Sequence, residues 1–399
     1  MPDSSNNSKA KVSFRTLQPL VSAGHSLAQI KGVSNPPFHY LHVSNIVVRM
    51  FGQAIGPVFG GIISQYLGYH AIFWFLFGGG AFALIFLVVF LPETLRPIAG
   101  NGTLCLKGIH RPLYYKFTPS QEHLIERNLP LKKNFTPSMI FTPFQLLLEK
   151  DVFAIIVFGS IVYAIWSMVT SSTTALFQAR FGLSDLQVGL VFLPNGVASM
   201  LGSYLTGKLS KHDWAIMERR YRAENGIPAS AVLRRKDLVD FPFARTRLRS
   251  IWWLLVVFVL TTALYGFSLS LNIIALPLIL QFAISYTANS IFALNSTLVV
   301  DLFPRASASA TAVNNLVRCL VGAGGVAVVQ LIIDAIGAGP TFAMWSGVTA
   351  LVTPLLLLQW RNGTRWAIER NERIVARERE RENGDVEKVQ VVEPRARKK

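Results

Sequence analysis

The sequence predicts an all-α polytopic membrane protein with about eight transmembrane helices, arranged two plus six, and both termini in the cytoplasm. Three observations carry this reading. Only 15% of the 399 residues are charged, where a soluble domain averages about 25%. The deficit is concentrated, because residues 50–92, 152–179 and 251–300 contain no Asp, Glu, Lys or Arg at all. The last of these tracts holds 50 residues; as a helix it would run about 75 Å, longer than two crossings of a hydrocarbon core about 30 Å thick. The third observation is a formal net charge of +17 confined to the segments between the apolar tracts. A nucleic-acid binder needs its cations spread over a water-soluble fold. That class is excluded, and so is a single soluble domain.

Apolar runs of membrane length place the spans at roughly 46–66, 71–91, 152–173, 185–207, 250–269, 273–298, 310–334 and 341–360. The long neutral tract divides at Ser268-Leu269-Ser270-Leu271-Asn272, polar enough for a hairpin. The last two spans divide at Gly337-Ala338-Gly339-Pro340, a strong helix breaker. Residues 1–45 are polar and expected to be disordered, with no cleavable signal sequence. Residues 92–150 are a Pro-, Lys- and Asn-rich cytoplasmic linker with a short helix near Pro143–Glu149. Residues 151–360 form the six-helix bundle, and 361–399 a basic tail. Trp366–Asn383 is helix-prone, with a Glu369–Arg373 pair at i,i+4 and a stop at Asn383-Gly384. It is a solvated tail, with anionic lipid headgroups as its alternative partner.

Alternating the spans across a bilayer puts 37 of the 39 Lys and Arg residues on one side. Arg180 alone falls on the other side, and Arg318 falls inside a span. Lys107, Lys208, Lys211, Arg245, Arg247, Arg249, Arg361 and Arg365 lie near span ends, where the positive-inside rule applies, so that side is cytoplasmic.

Other chemistry has little support. Cys105 and Cys319 fall in a charged loop and an apolar helix, so no disulfide is expected. His39 and His42 lack further ligands, and no metal or other cofactor is implied. No Gly-rich phosphate loop and no nucleophile–base pair points to ATP use or to an enzyme. The Asn-x-Thr triplets at Asn101, Asn134 and Asn362 fall on the cytoplasmic side.

The first span carries Gly52-x-x-x-Gly56-Pro57-x-x-Gly60-Gly61. Glycines four apart let another helix approach backbone to backbone, and Pro57 removes one helical hydrogen bond. Gly68-Tyr69-His70-x-x-Phe73-Trp74 follows. Leu91-Pro92-Glu93-Thr94-Leu95-Arg96 and Gly100-Asn101-Gly102-Thr103 close the second span, and Gly207-Lys208-Leu209-Ser210-Lys211-His212-Asp213-Trp214 the fourth. Asp301-Leu302-Phe303-Pro304, Ser307-Ala308-Ser309-Ala310-Thr311-Ala312 and Asn314-Asn315-Leu316-Val317-Arg318-Cys319 lead into the seventh. Together, over about residues 50–365, these motifs resemble the fungal drug:proton antiporter branch of the major facilitator superfamily, twelve-span exporters of the quinidine-resistance, organic-acid and secondary-metabolite types.

The resemblance implies a truncated major-facilitator fold in which the eight spans match family helices five to twelve and helices one to four have no counterpart. It implies export of a small organic molecule in exchange for protons, by a monomer in the plasma membrane or the vacuolar membrane. Gly52, Gly56, Pro57, Gly60 and Gly61 would form the close-packed antiporter-motif gate helix. The site-lining candidates are polar or aromatic residues within spans. Tyr163, Trp166 and Thr170 share one face of the third span, Asn195 lies in the fourth, and Tyr286 and Asn289 share a face of the sixth. Arg318, with Asn314 and Asn315 a turn before it, is the sole charge of residues 306–333. Two readings of Arg318 stay open: it anchors helix packing, or it contacts an anionic substrate or tunes a proton step. The rival to export is a non-transporting remnant, scaffold or sensor on the same bundle.

Overall fold

The computed structural model describes residues 52, 54–90, 142–228, 241–303 and 307–396. The predicted segment 1–45, most of 92–150, the Leu91–Arg96 and Gly100–Thr103 motifs and Cys105 lie outside these residues. The chain divides into two units, residues 1–38 with 74–134 and residues 39–73 with 135–399.

Among the described residues the architecture is all helical. α1 spans Ala54–Leu67 and α2 Tyr69–Phe90, separated by Gly68 at φ 79°. α2 is apolar on all sides, and within the first unit its Trp74 and Phe77 meet edge to face with centroids 6.1 Å apart.

The second unit contains the bundle. A 3-10 stretch, Thr142–Leu148, where the short helix was expected, leads into α3, Lys150–Phe181. Glycine at 182 ends α3 in the left-handed region, φ 63°, and its N–H donates to Gln178 O. After a three-residue turn, α4 (Asp185–Val191) starts with Gln187 Oε1 accepting from the Ser184 N–H at 2.9 Å. α5 (Leu193–Glu224) continues the crossing with proline in its first turn. α6 (Phe243–Leu248) is short. α7 (Ile251–Ser268) and α8 (Ala275–Leu302) are joined at the expected polar turn. α9 (Ser307–Ile336) ends at Gly337, φ 85°, and α10 begins one residue later.

Among the described residues, seven helices are long and apolar enough to cross a membrane, with α4 and α5 counted as one and α1 falling short. α3 packs on α9, α8 on α5 and α7, and α10 on α7 and α3. The contact surface is aliphatic and aromatic: Ile155, Phe158, Val162 and Ile165 of α3, Phe258 of α7, Ile284 and Ile291 of α8 and Phe342 of α10 are buried. Leu260, Ile279, Leu320 and Leu351 remain exposed on the outside of the bundle, as side chains that meet lipid tails do.

The tail departs from the sequence reading. α10 runs unbroken from Ala338 to Ala396, through the expected stop at Gly384. The expected Glu369–Arg373 pair is absent: Glu369 takes Arg365 at 2.7 Å, and Arg373 reaches Glu149 at the start of α3 at 2.9 Å. Arg370 turns inward and pairs with Asp151, donates to Leu302 O at 3.1 Å and lies 4.3 Å above the Phe303 ring. Burial strengthens the Arg370–Asp151 contact, whereas an exposed i,i+4 pair is worth only a few tenths of a kcal/mol, so Arg373 turns to the carboxylate that α3 places beside it at little cost. Other cations on this basic side are also engaged. Arg247 pairs with Asp301 at 2.8 Å and stacks on Trp214, and Asp213 accepts from Ser250 with Arg249 at 3.8 Å.

Candidate functional site: a clamped arginine and a glycine crossing

Arg318 lies on α9 about eleven residues, or roughly 16 Å, from its basic-side end, so its charge sits deep in the apolar layer. Its guanidinium carbon is 4.6 Å from the Tyr163 ring centre and 5.6 Å from that of Phe292. The two rings are 5.4 Å apart, and Trp166 joins them at 5.6 Å from Tyr163 and 6.2 Å from Phe292. Gly322, one turn beyond Arg318, makes this possible. A Cβ there would stand 2.8 Å from Tyr163 Cε1, so any larger residue would push the tyrosine ring from this position against α9.

The energetics are unbalanced. A cation near the middle of a membrane helix costs about 2.5–3.5 kcal/mol on insertion scales. A desolvated cation–π contact returns about 2 kcal/mol, so the rings offset much of the cost. They supply no hydrogen-bond acceptor, however, and Arg318 Nε is buried without one. No carboxylate pairs with Arg318 among the described residues. The in-span Asp334 takes Gln330 instead, at 2.8 Å. The arrangement suits a planar oxyanion, which the guanidinium edge binds with two parallel N–H bonds.

A polar line continues from the clamp across α3, α8 and α5. Trp166 Nε1 donates to Ser285 Oγ at 3.3 Å, and Asn289 Nδ2 donates to Ser285 O at 2.9 Å and Ser199 Oγ at 2.8 Å. Thr170 Oγ1 donates to Trp166 O at 2.8 Å and accepts from Asn195 Nδ2 at 3.4 Å. Of the expected lining residues, the structure therefore links Tyr163, Trp166, Thr170, Asn195, Asn289 and Arg318 through contacts shared with Phe292, Ser285 and Ser199. Tyr286 is half-buried; Asn314 is buried, whereas Asn315, its neighbour, is exposed. Phe292 escaped the sequence reading because a phenylalanine in an apolar span carries no polar signal. Ser199 and Ser285 are small hydroxyls of a kind that occurs throughout the spans.

The antiporter-motif helix meets the bundle elsewhere. A Cβ on Gly61 would be 2.6 Å from Asp185 O; one on Gly189, 2.8 Å from Pro57 O; and one on Gly196, 2.2 Å from Ala54 Cα. α1 thus crosses α4 and α5 backbone to backbone through glycines contributed by both partners. A Cβ on Gly52, Gly56 or Gly60 would meet nothing within 4 Å beyond its own helix among the described residues. At the end opposite the basic side, Asp185 accepts from Ser64 Oγ at 2.7 Å and Gln178 Nε2 at 3.0 Å, and Gln65 Oε1 accepts from the Leu186 N–H at 3.0 Å. Gly189 and Gly196 are the residues missed here, since isolated glycines in a span give no partner by themselves. Gly61→Val is expected to push α1 off α4. The check is loss of a cysteine cross-link between Ser64→Cys and Asp185→Cys in membranes, while Gly60→Val retains it.

A model of the Major Facilitator Superfamily matches residues 46–227. The chain is 51% identical over 332 residues to "Citrate exporter 1" of Aspergillus niger, covering 83% of this chain and 63% of that protein; it thus spans less than two thirds of that relative. "MFS-type transporter phiL" of Fungal sp. (strain ATCC 74256) is 32% identical over 332 residues, with 77% of each chain covered. "MFS antiporter QDR1" of Candida albicans is 28% identical over 308 residues, 76% of this chain and 59% of that one. No solved structure matches. The motifs, the membrane-length helices and relatives matched along most of the chain agree, and this multi-pass membrane protein belongs to the major facilitator superfamily.

Proposed function

We propose that this protein exports a small organic acid across the plasma membrane in exchange for protons. The observation that carries the proposal is Arg318: a half-buried cation in an apolar span, flanked by Tyr163 and Phe292, with its Nε buried and left without an acceptor. A carboxylate substrate supplies that acceptor. A neutral drug can accept a hydrogen bond but brings no charge to offset the guanidinium and no bidentate oxygen pair, which favours organic acids over the other cargoes of such exporters. The name of the 51% identical relative, a citrate exporter, supports the same class, and that of the QDR1 relative supports antiport. Movement follows from two-state rocking of helical bundles around a mid-membrane site. The α1 crossing at Gly61, Gly189 and Gly196 is the hinge contact on the side opposite the cations, and the protein acts as a monomer.

The test is accumulation of labelled citrate, benzoate and a neutral azole in fungal cells stripped of their own exporters. Cells producing this chain are expected to retain less citrate than empty-vector cells, with the difference collapsing when a protonophore is added. Retention equal to the empty vector would overturn export in favour of a non-transporting membrane scaffold. Export that survives the protonophore would remove proton coupling alone.

A further inference from the structure

Asn295 of α8 is 3% exposed, and neither its amide nitrogen nor its amide oxygen has a hydrogen-bond partner. It faces Gly159 of α3, where an added Cβ would stand 2.7 Å from Asn295 Nδ2. The glycine is thus what admits the amide between the two helices. Most other buried polar side chains of α8 are engaged: Thr287 and Ser290 bond back to carbonyls of their own helix, and Ser285 accepts from Trp166. A buried amide left unpaired costs its full desolvation penalty, whereas an apolar group of similar shape costs nothing comparable. In an apolar layer no bulk water is available to repair it.

The position of this orphan connects it to the arginine. Asn295 is three residues beyond Phe292 on α8, and Gly159 is four residues before Tyr163 on α3. Both steps run toward the basic side, so the amide lies one helical turn, roughly 5 Å, below the aromatic clamp. That separation matches the distance between polar ends of a small polycarboxylate.

We infer that Asn295 is a second anchor of the Arg318 site, its amide hydrogen-bonding an oxygen-bearing group of the substrate one turn from the carboxylate held by the guanidinium. The inference rests on the export reading. It makes Asn295 a specificity-determining residue: it favours acids with a second polar group and discriminates against monocarboxylates, which leave the amide unpaired. It also explains why two destabilising features, an unpaired amide and a packing glycine, face each other.

The experiment compares purified wild-type protein with Asn295→Val and Asn295→Ala, following thermal unfolding with and without citrate, and with benzoate as the monocarboxylate. Without ligand, Asn295→Val is expected to unfold roughly 2–4 °C higher than wild type, because the orphan is gone. Its apparent affinity for citrate is expected to fall about tenfold, the worth of one hydrogen bond to a charged group, and its affinity for benzoate to stay unchanged. A lower unfolding temperature in both variants would show that the amide is satisfied structurally, by trapped water, and would overturn the inference. So would wild-type citrate affinity in the variants when the wild-type protein binds citrate normally; that result leaves the export reading intact. A wild-type protein that neither binds nor exports any of the acids defeats the export reading and this inference with it.

Discussion

On the export proposed above, Arg318→Ala is expected to cut citrate transport about 30-fold or more at limiting substrate. Removing one partner of a buried, hydrogen-bonded charge pair costs about 2–5 kcal/mol, and here the partner left behind is the anion itself. Arg318→Lys keeps the charge but loses the planar fork and the stacking on Tyr163 and Phe292. An intermediate loss of about tenfold is expected, with most of the change in KM. The same variants separate recognition from packing. Because no carboxylate of the described chain offsets Arg318, Arg318→Ala removes a solvation cost and is expected to leave thermal stability equal to or above wild type. An Arg318→Ala protein that fails to accumulate or melts well below wild type would show that the arginine holds α9 against α3, not the substrate.

Arg370→Ala is expected to destabilise the protein by about 3–5 kcal/mol, the usual cost of breaking a buried ion pair from one side. Asp151 is 1% exposed and Arg370 5%, so neither charge can turn to water when its partner is lost. Arg370 also closes the end of α8 through Leu302 O and covers Phe303. The loss is therefore felt by α3, α8 and α10 together. The double variant Asp151→Asn with Arg370→Met is expected to recover most of the stability, since an uncharged pair leaves nothing to neutralise. Thermal unfolding of wild type, Asp151→Asn, Arg370→Met and the double variant closes a cycle that measures the coupling directly. A single-variant loss below about 1 kcal/mol would show that the contact is no stronger than an exposed pair. Glu149 with Arg373 lies beside this pair and is more open, at 26% and 57% side-chain exposure. Arg373→Ala is expected to cost less than about 1 kcal/mol.

Much of this protein is legible from its sequence, for a reason particular to membranes. Lipid satisfies no backbone N–H or C=O, so each apolar run of sufficient length must close its hydrogen bonds as a helix. The helices α3, α5, α7, α8 and α9, with the turns at Ser268–Asn272 and Gly337, follow from hydropathy and breakers alone. The motifs at Gly52–Gly61 and Asp301–Arg318 were enough to point to the superfamily. The individual site residues were less legible: polar groups such as Asn289 and Arg318 stand out in an apolar span, but their partners Phe292, Ser199 and Gly322 do not. The tail shows the converse error. Local pairing rules join Glu369 to Arg373, but the fold offers Glu149 and Asp151 to that helix face instead.

What the sequence alone determined is which segments are apolar and long enough to cross a bilayer and that the cations gather between them, because partitioning between water and lipid is decided residue by residue. What only the tertiary structure decided is how the helices are rotated against one another. Lipid tails and the bundle interior are about equally apolar, so a span carries no hydrophobic stripe to mark its inner face. Rotation is set by small residues that permit close approach, Gly61 on Gly189 and Gly322 on Tyr163, and that rotation brings Arg318 between two rings and leaves Asn295 without a partner.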